Sequence, residues 1–522
     1  MTGRSAQTSS RSRAWRVVRW VGLAGAVPAL WACTSRSLEP GIITPTATLT
    51  ANVTQKINNN IDILFMIDNS SSMTSMQQKL LAQLPTFMQV LQNLPNGLPN
   101  VHIAVVSSDM GAPGDSVGSI GCTQYGDDGA FQSAPRGACM TTLSNGANFI
   151  SNVDNMPNFT DPIEKVFQCI ALLGSTGCGF EHQLASIDRA LGADGNAPPD
   201  TNANFLRDNA YLGIVLLTNE DDCSAPPNTQ LFSLNGQQQG TMNSLGPIAN
   251  YRCNQFGHLC KDPNGNMVQP PLTPPGGNGT PTETFTDCVS NDSGNPQQQT
   301  LTPVSKFVSD IKSKKTDPDN QILVAAITAP PDPYTVEWVP PASPPPGTSG
   351  QLWPQIMHSC GAKGGDDVNP ASTMNTTDGS FGDPGVRITQ FVKSFPNYFV
   401  SSICDPSYAT SMTAIATKLG ALIKPNCITG TIQKDGNGHP LCTVVNHLSS
   451  ANSTATTDVN IPNCDTNNNT APCWTLEANA MACPKGGVAL KLNQDSAAMN
   501  AASLNSTVDC SLCLPGSTAP GC

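Results

Sequence analysis

One carboxylate and two hydroxyls occupy every second position of the turn Asp68-Asn-Ser70-Ser-Ser72. They follow the apolar run Ile61–Ile67, which is typical of a strand buried on both faces of a parallel sheet. Open parallel sheets bind ligands beyond the carboxyl ends of their strands. One carboxylate and two hydroxyls form an oxygen-only set of the kind that Mg²⁺ prefers. Because the hydroxyls are neutral, a bound dication would keep enough charge to accept a carboxylate from another molecule.

This strand–turn–helix pattern resembles the metal-ion-dependent adhesion site of von Willebrand factor type A domains. The resemblance covers about residues 57–425. It implies a doubly wound, mostly parallel α/β fold and a Mg²⁺ cofactor, with Mn²⁺ or Ca²⁺ as substitutes. In that family a later loop adds a Thr ligand, and the end of a further strand adds an Asp.

The resemblance assigns the Thr ligand to Thr176, which precedes a helical pattern, with Ser175 as the alternative. The Asp position of the family falls on Asn219, which is a departure from the family pattern. An amide oxygen can bind a cation but brings less charge. Three neighbouring acids could stand in for the missing one: Glu220, Asp221 and Asp222.

A simpler interpretation of the first turn stays open. Asp and Ser are preferred helix N-caps, so Asp68 and its serines could serve only to cap the helix that follows.

Apolar runs alternate with amphipathic segments, which predicts an α/β domain with a parallel sheet. The predicted strands are 61–67, 101–106, 212–217, 322–327 and 398–403. The predicted helices are 76–94, 180–191, 303–313, 387–395 and 406–423. Pro85 should kink or split the first helix. Three loop-rich stretches are predicted as disulfide-bearing insertions: 110–165, 224–300 and 329–385.

The N-terminus has the charge order of a signal peptide, with five arginines ahead of a short apolar stretch. It ends in Leu30-Trp-Ala-Cys33, which resembles the bacterial lipobox. This implies a signal peptide over 1–32 and acylation of Cys33. Ordinary cleavage that leaves Cys33 as a plain thiol is the alternative. Residues 33–56, rich in Thr, Ser and Pro, are predicted to form a tether.

The chain has 19 cysteines, and removing the acylated one leaves 18, enough for nine disulfides in an oxidising compartment. Eight of them lie in 426–522, predicted as a small, mostly β module. A single Cys-x-x-Cys, Cys510 to Cys513, makes zinc the weaker interpretation. Three cysteines beside the proposed metal loops either pair with one another or bond into the insertions: Cys169, Cys178 and Cys223.

The charge of −12, with no basic run beyond the N-terminus, argues against nucleic acid as a partner. No nucleophile–base pair is recognisable, so we do not expect an enzyme. We expect a lipid-anchored protein of the outer membrane or cell surface that engages a carboxylate on a protein or an acidic glycan. The alternative, favoured by Asn219, is a metal-free structural envelope lipoprotein whose insertions or Cys-rich tail make the contacts.

Overall fold

The structure is a computed structural model. It describes residues 50–57, 59–94, 97–112, 122–227, 229, 231–232, 245–246, 251–275, 282–293, 301–341, 352–361, 380–423, 427–449, 456–478, 487–493 and 503–522. The predicted signal peptide, the predicted lipidation site Cys33 and the tether up to residue 49 lie outside these residues.

Twenty-two strands and eight α-helices are formed by the described residues. The strands are β1 (Thr50–Ile57), β2 (Asn60–Ile67), β3 (Asn100–Ser107), β4 (Ile150–Val153), β5 (Met156–Pro157), β6 (Tyr211–Leu217), β7 (His258–Lys261), β8 (Met267–Val268), β9 (Thr282–Ser290), β10 (Ile322–Thr328), β11 (Tyr334–Val339), β12 (Trp353–Ile356), β13 (Cys360–Gly361), β14 (Phe381–Gly382), β15 (Asn397–Ser402), β16 (Cys427–Ile428), β17 (Thr431–Ile432), β18 (Cys442–Ser449), β19 (Thr456–Ile461), β20 (Cys473–Ala478), β21 (Val488–Asn493) and β22 (Ser503–Cys513). The helices are α1 (Thr74–Gln92), α2 (Ile163–Ala171), α3 (Gln183–Ala190), α4 (Tyr251–Gly257), α5 (Val304–Lys312), α6 (Pro318–Gln321), α7 (Val386–Lys393) and α8 (Ala409–Leu422).

A seven-stranded sheet forms the centre, in the order β15-β10-β6-β2-β3-β4-β5. The five strands from β15 to β3 are parallel, and β4 and β5 are antiparallel additions at one edge. The prediction of a mixed α/β fold with a mostly parallel sheet is confirmed. The edge strands β4 and β5 were missed, because they come from the 110–165 stretch that the sequence assigns to an insertion.

Helices cover both faces of this sheet, because successive side chains of a strand point to opposite sides. On one face Phe65 packs edge-on against Phe87 of α1 and Phe167 of α2, with ring centroids 5.5 and 4.9 Å away. On the other face Leu64 and Met66 pack in a core with α3, α5 and α7. The central strands therefore have little freedom, and the loops at their carboxyl ends are held on a rigid base.

Helix α1 runs unbroken through Pro85, so the predicted split is wrong. A proline has no N–H to bond the carbonyl four residues earlier, here that of Leu81. The Gln168 side chain of α2 donates a hydrogen bond to this Leu81 carbonyl at 2.8 Å. The neighbouring helix thus satisfies the acceptor that Pro85 leaves open.

The described parts of the second and third insertions together build a second sheet, in the order β12-β11-β9-β7-β8. Strand β11 alternates buried and half-buried side chains, with Tyr334, Val336 and Trp338 facing a small core. The Cys260–Cys288 disulfide joins β7 to β9. The sequence does not indicate these short strands, because the stretches are rich in Pro and Gly and the sheet combines strands from both insertions.

The described part of the C-terminal module is mostly β, with one sheet ordered β1-β22-β18-β19 and a smaller one ordered β16-β21-β20. Its disulfides include Cys442–Cys510, Cys464–Cys473 and Cys513–Cys522. Strand β1, which the sequence assigns to the end of the tether, pairs with β22 along its whole length. Residues 50–56 therefore belong to the module's sheet.

No helix of the described residues is both long and apolar enough to cross a bilayer.

Candidate functional site

Polar residues follow three adjacent parallel strands at the same edge of the central sheet. Ile67, the last residue of β2, is in register with Ser107 of β3 and Leu217 of β6. The next residues along the chain are Asp68, Ser108 and Thr218. Hydrogen bonds between backbones continue past the strand ends, since the Asp68 N–H donates to the Leu217 carbonyl at 2.9 Å. The register therefore places these three side chains side by side.

Asp68 is fully buried and lies at the centre of this cluster. Its Oδ1 accepts hydrogen bonds from the Ser70 backbone N–H at 2.8 Å and from the Ser108 hydroxyl at 3.1 Å. Its Oδ2 accepts a hydrogen bond from the Thr218 hydroxyl at 2.8 Å. Neither α1 nor the single 3₁₀ turn before it has a side-chain cap, so the capping interpretation of this turn is not what the structure shows.

A chain of side-chain oxygens runs from the first turn to the loop after β6. The Ser70 and Ser72 hydroxyls are 3.2 Å apart. The Ser72 hydroxyl donates to Oδ1 of Asn219 at 3.0 Å. Asn219 is fully buried, and within the described part of the chain its Nδ2 has no hydrogen-bond partner. The hydrogen bond to Oδ1 thus orients the Asn219 amide. The structure brings together four of the predicted site residues: Asp68, Ser70, Ser72 and Asn219.

Two buried glutamines hold this cluster in place. Gln77 of α1 donates from Nε2 to the carbonyls of Asp68, at 2.8 Å, and Gly174, at 2.7 Å. Gln183 of α3 donates from Nε2 to the Thr218 hydroxyl at 2.8 Å. Both glutamines and the hydroxyls of Ser108 and Thr218 were missed as site residues. For Ser108 the available signal was a polar residue directly after a buried strand.

The predicted Thr176 lies on a loop next to the cluster, and the loop is fixed by its neighbours. The Gly177 N–H donates to the Asn69 carbonyl at 2.8 Å, and a side chain at Gly177 would collide with the Asn69 side chain. Thr176 itself is exposed, and within the described residues its side chain makes no hydrogen bond to the cluster. It precedes α3 by seven residues rather than opening the helix.

Asp221 and Asp222 are engaged elsewhere, so we remove both from the candidate ligand set. Asp221 accepts a hydrogen bond from His258 Nε2 at 2.8 Å and two more from backbone N–H groups at the start of α7. Asp222 forms a fully buried ion pair with Arg387 at 2.9 Å. It also accepts from the Leu184 N–H and the Ser224 hydroxyl. Both acids tie the loop after β6 to other elements, and the negative charge of Asp222 is paired with Arg387.

The oxygens of this cluster belong to a carboxylate, hydroxyls and an amide, and a hard divalent cation prefers ligands of these kinds. Burial raises the pKa of the Asp68 carboxyl, and the hydrogen bonds from Ser70, Thr218 and Ser108 offset only part of this. No Lys or Arg of the described residues pairs with Asp68. A nearby dication would favour the ionised form of such a carboxylate. Within the described residues no three His, Cys, Asp or Glu side chains cluster to hold a metal, so a site here depends on hydroxyl and amide oxygens.

The cysteines beside the site do not pair with one another. Each bonds into an insertion, in the disulfides Cys139–Cys169, Cys122–Cys178 and Cys223–Cys253. The Cys122–Cys178 bond fixes the loop of Thr176 from the side of the first insertion. The Cys223–Cys253 bond does the same for the loop after β6.

No protein-family model matches the chain, and no curated protein matches it. Solved structures with some similarity include the pilus adhesin SpaC from Lactobacillus rhamnosus GG in its open conformation, with 12% identity, a TM-score of 0.26, and coverage of 88% of this chain and 40% of that one. For the type V pili tip protein Mfa5 from Porphyromonas gingivalis these values are 11%, 0.25, 88% and 64%. For the pilus adhesin RrgA from Streptococcus pneumoniae they are 10%, 0.23, 89% and 58%. This chain thus covers less than two thirds of each of them, and similarity this low establishes neither a family nor a function.

Proposed function

We propose that this chain is a lipid-anchored extracytoplasmic binding protein with a von Willebrand factor type A-like domain. In this proposal a divalent cation, Mg²⁺ first, is held at the carboxyl edge of the central sheet and engages an acidic group on a partner. The observation that carries it is the chain of oxygens from Asp68 through Ser70 and Ser72 to Asn219, on a buried and rigid base.

Each of these residues would have a distinct part. Asp68 would supply the one negative charge, and Ser70 and Ser72 would supply neutral hydroxyl oxygens. Asn219 would supply an amide oxygen that is already aimed at Ser72. Thr176, on the adjacent loop, would join through a water. A cation bound by one charge in four ligands would offer its remaining charge to a carboxylate on a protein or an acidic glycan.

Eight disulfides among the described residues support folding in an oxidising compartment. Anchoring through Cys33, at the outer membrane or the cell surface, is the part of the proposal that depends on the N-terminal sequence alone.

Two observations favour a second function. Both oxygens of Asp68 already accept hydrogen bonds from the protein, and the family's second acid is replaced by Asn219. A metal-free structural envelope lipoprotein would have this arrangement, with the second sheet or the C-terminal module making its contacts. The hydrogen bonds to Asp68 do not exclude a cation, because a carboxylate has about four acceptor positions and three hydrogen bonds leave one of them open.

Isothermal titration calorimetry of the full chain with Mg²⁺ and Mn²⁺ separates the two functions. Asp68→Asn removes the charge and keeps the shape, and the exposed Asp465→Asn in the C-terminal module is the matched control for charge. We expect one cation per chain, lost in Asp68→Asn and retained in Asp465→Asn. If the parent binds no cation, or Asp68→Asn binds it equally well, the metal-free function is favoured.

A further inference from the structure

Gln77 of α1 joins the Asp68 turn to the loop that carries Thr176. Its side chain is 2% exposed. Besides donating from Nε2 to the Asp68 and Gly174 carbonyls at 2.8 and 2.7 Å, it accepts a hydrogen bond from the Gly174 N–H on Oε1 at 3.1 Å. A side-chain amide has two N–H donors and one carbonyl acceptor, and all three are engaged here. The amide therefore links the two backbone segments and is itself fixed by both of them.

The Thr176 loop is also attached to the same turn at its other end. The Gly177 N–H donates to the Asn69 carbonyl at 2.8 Å, and a Cβ at Gly177 would lie 2.2 Å from Oδ1 of Asn69. Thr176 thus lies between two attachments, with Gly174 before it and Gly177 after it. A shift of Thr176 relative to Asp68 has to disturb at least one of these attachments.

This rigidity limits the number of protein oxygens that can reach a cation. In the proposed function the ligands are the four side chains from Asp68 to Asn219, and Thr176 joins through a water. Mg²⁺ is small, demands octahedral geometry at about 2.0–2.1 Å and keeps several of its waters. Ca²⁺ takes about 6–8 oxygen ligands at about 2.3–2.6 Å in a more flexible arrangement. A fixed site with few protein ligands therefore favours the cation that keeps its waters.

The two carbonyls that Gln77 engages are oxygens of a kind that Ca²⁺ uses. Backbone carbonyls are common Ca²⁺ ligands. The carbonyls of Asp68 and Gly174 both accept a hydrogen bond from the Gln77 amide. Removing the amide frees both carbonyls and releases the Thr176 loop at one end. The change gives a larger and more flexible coordination shell additional oxygens from the turn and the loop.

We propose that Gln77 determines the cation selectivity of the site: by holding the Thr176 loop to the Asp68 turn, it favours Mg²⁺ over Ca²⁺. This inference rests on the proposed function, because it requires a divalent cation at Asp68. Gln77 is a positioning residue here, since its own oxygen is engaged by the Gly174 N–H.

Calorimetry of the full chain with MgCl₂ and with CaCl₂ tests this role in the parent and in Gln77→Met. Methionine is also long and unbranched, but it cannot donate to either carbonyl. We expect the parent to bind Mg²⁺ about tenfold more tightly than Ca²⁺, and Gln77→Met to lower this ratio about fivefold. Gln168→Met is the matched control, because it removes a glutamine hydrogen bond to the Leu81 carbonyl of the same helix. The control should keep the ratio of the parent.

Hydrogen exchange in EDTA measures the same attachment without a cation. The Gly174 N–H loses its acceptor in Gln77→Met, so peptides that cover Gly174 should exchange this proton about tenfold faster than in the parent. In Gln168→Met the rate should equal that of the parent. This comparison separates release of the loop from a general loss of stability.

A second variant, Gly177→Ala, keeps the test decisive if Gln77→Met does not fold. Its methyl group would collide with the Asn69 side chain and displace the loop from its other end, so the ratio of Mg²⁺ to Ca²⁺ affinity should fall here too. The inference is overturned by an unchanged ratio or unchanged Gly174 exchange in folded Gln77→Met, or by an unchanged ratio in Gly177→Ala where Gln77→Met does not fold. A parent that binds both cations equally well also overturns it. A parent that binds neither cation overturns the proposed function, and this inference with it.

Discussion

Placing an acid at position 219 is the most informative change to the proposed cation site. In Asn219→Asp a second carboxylate replaces an amide of nearly the same shape, and the Ser72 hydroxyl can still donate to it. The unpartnered Nδ2 of Asn219 is removed at the same time. The substitution therefore adds charge to the oxygen cluster with little change in packing.

The expected changes in Mg²⁺ affinity and in the free energy of unfolding follow from the burial of the site. Two unit charges 4 Å apart interact by about 4 kcal/mol at an effective dielectric constant of 20, and a dication doubles this. Desolvation and repulsion from Asp68 offset most of the gain, so we expect a net improvement of about 1.5–3 kcal/mol, or about 10–100-fold in Mg²⁺ affinity. Without the cation, two buried carboxylates repel each other, and we expect a loss of about 2–4 kcal/mol in the free energy of unfolding.

Thermal unfolding in EDTA and in Mg²⁺ measures both effects. The variant should unfold several degrees below the parent in EDTA and should recover most of the difference in Mg²⁺, since a ligand at 100 times its Kd stabilises by about 2.7 kcal/mol. The double variant Asp68→Asn/Asn219→Asp is the control, because it has the parent's charge at the wrong position. The reasoning is refuted if Mg²⁺ shifts the unfolding temperature of Asn219→Asp no more than that of the double variant.

Three further predictions concern the fold. Gln168→Ala should lower the free energy of unfolding by about 1–2 kcal/mol in denaturant titrations, because it leaves the Leu81 carbonyl unsatisfied. The loss should shrink in a Pro85→Ala background, where the backbone N–H returns; an equal loss in both backgrounds would contradict the account. Since the pKa of Asp188 is raised to about 8, its favourable contribution is complete below about pH 4 and is lost as the pH rises to 8. Asp188→Asn should therefore raise the unfolding temperature at pH 8.5 and leave it nearly unchanged at pH 4, as calorimetry can show; equal shifts at both pH values would argue against this. Thiol titration of the unfolded, unreduced chain should find at most three of the 19 cysteines free, and many more would contradict the eight disulfides.

The parallel core of the fold could be predicted because its strands are continuous apolar runs. Strands such as Ile61–Ile67 are buried on both faces, which gives a strong local signal. Strands β9 and β11 lack that signal, because neither is buried on both faces and the two pair across about 50 residues of sequence. Their sheet is a product of tertiary pairing, which composition does not indicate.

The same difference between local signals and distant pairing applies to the residues of the site. The turn from Asp68 to Ser72 is local in sequence, and the structure brings Asp68, Ser70 and Ser72 close together. Asp221 and Asp222 were not excluded, because their partners are distant: His258 is 37 residues from Asp221, and Arg387 is 165 residues from Asp222. A buried ion pair between such positions has no sequence signal. The same holds for the disulfides, whose pairing depends on how the insertions fold.

A crystal soaked in Mn²⁺ would test the oxygen cluster most directly through the anomalous signal of the metal. We expect one peak within about 2–2.5 Å of the Asp68 carboxylate or the Ser70 and Ser72 hydroxyls, with Asn219 beside it. An ordered Asp68 turn without such a peak at saturating Mn²⁺ would contradict the proposed cation site.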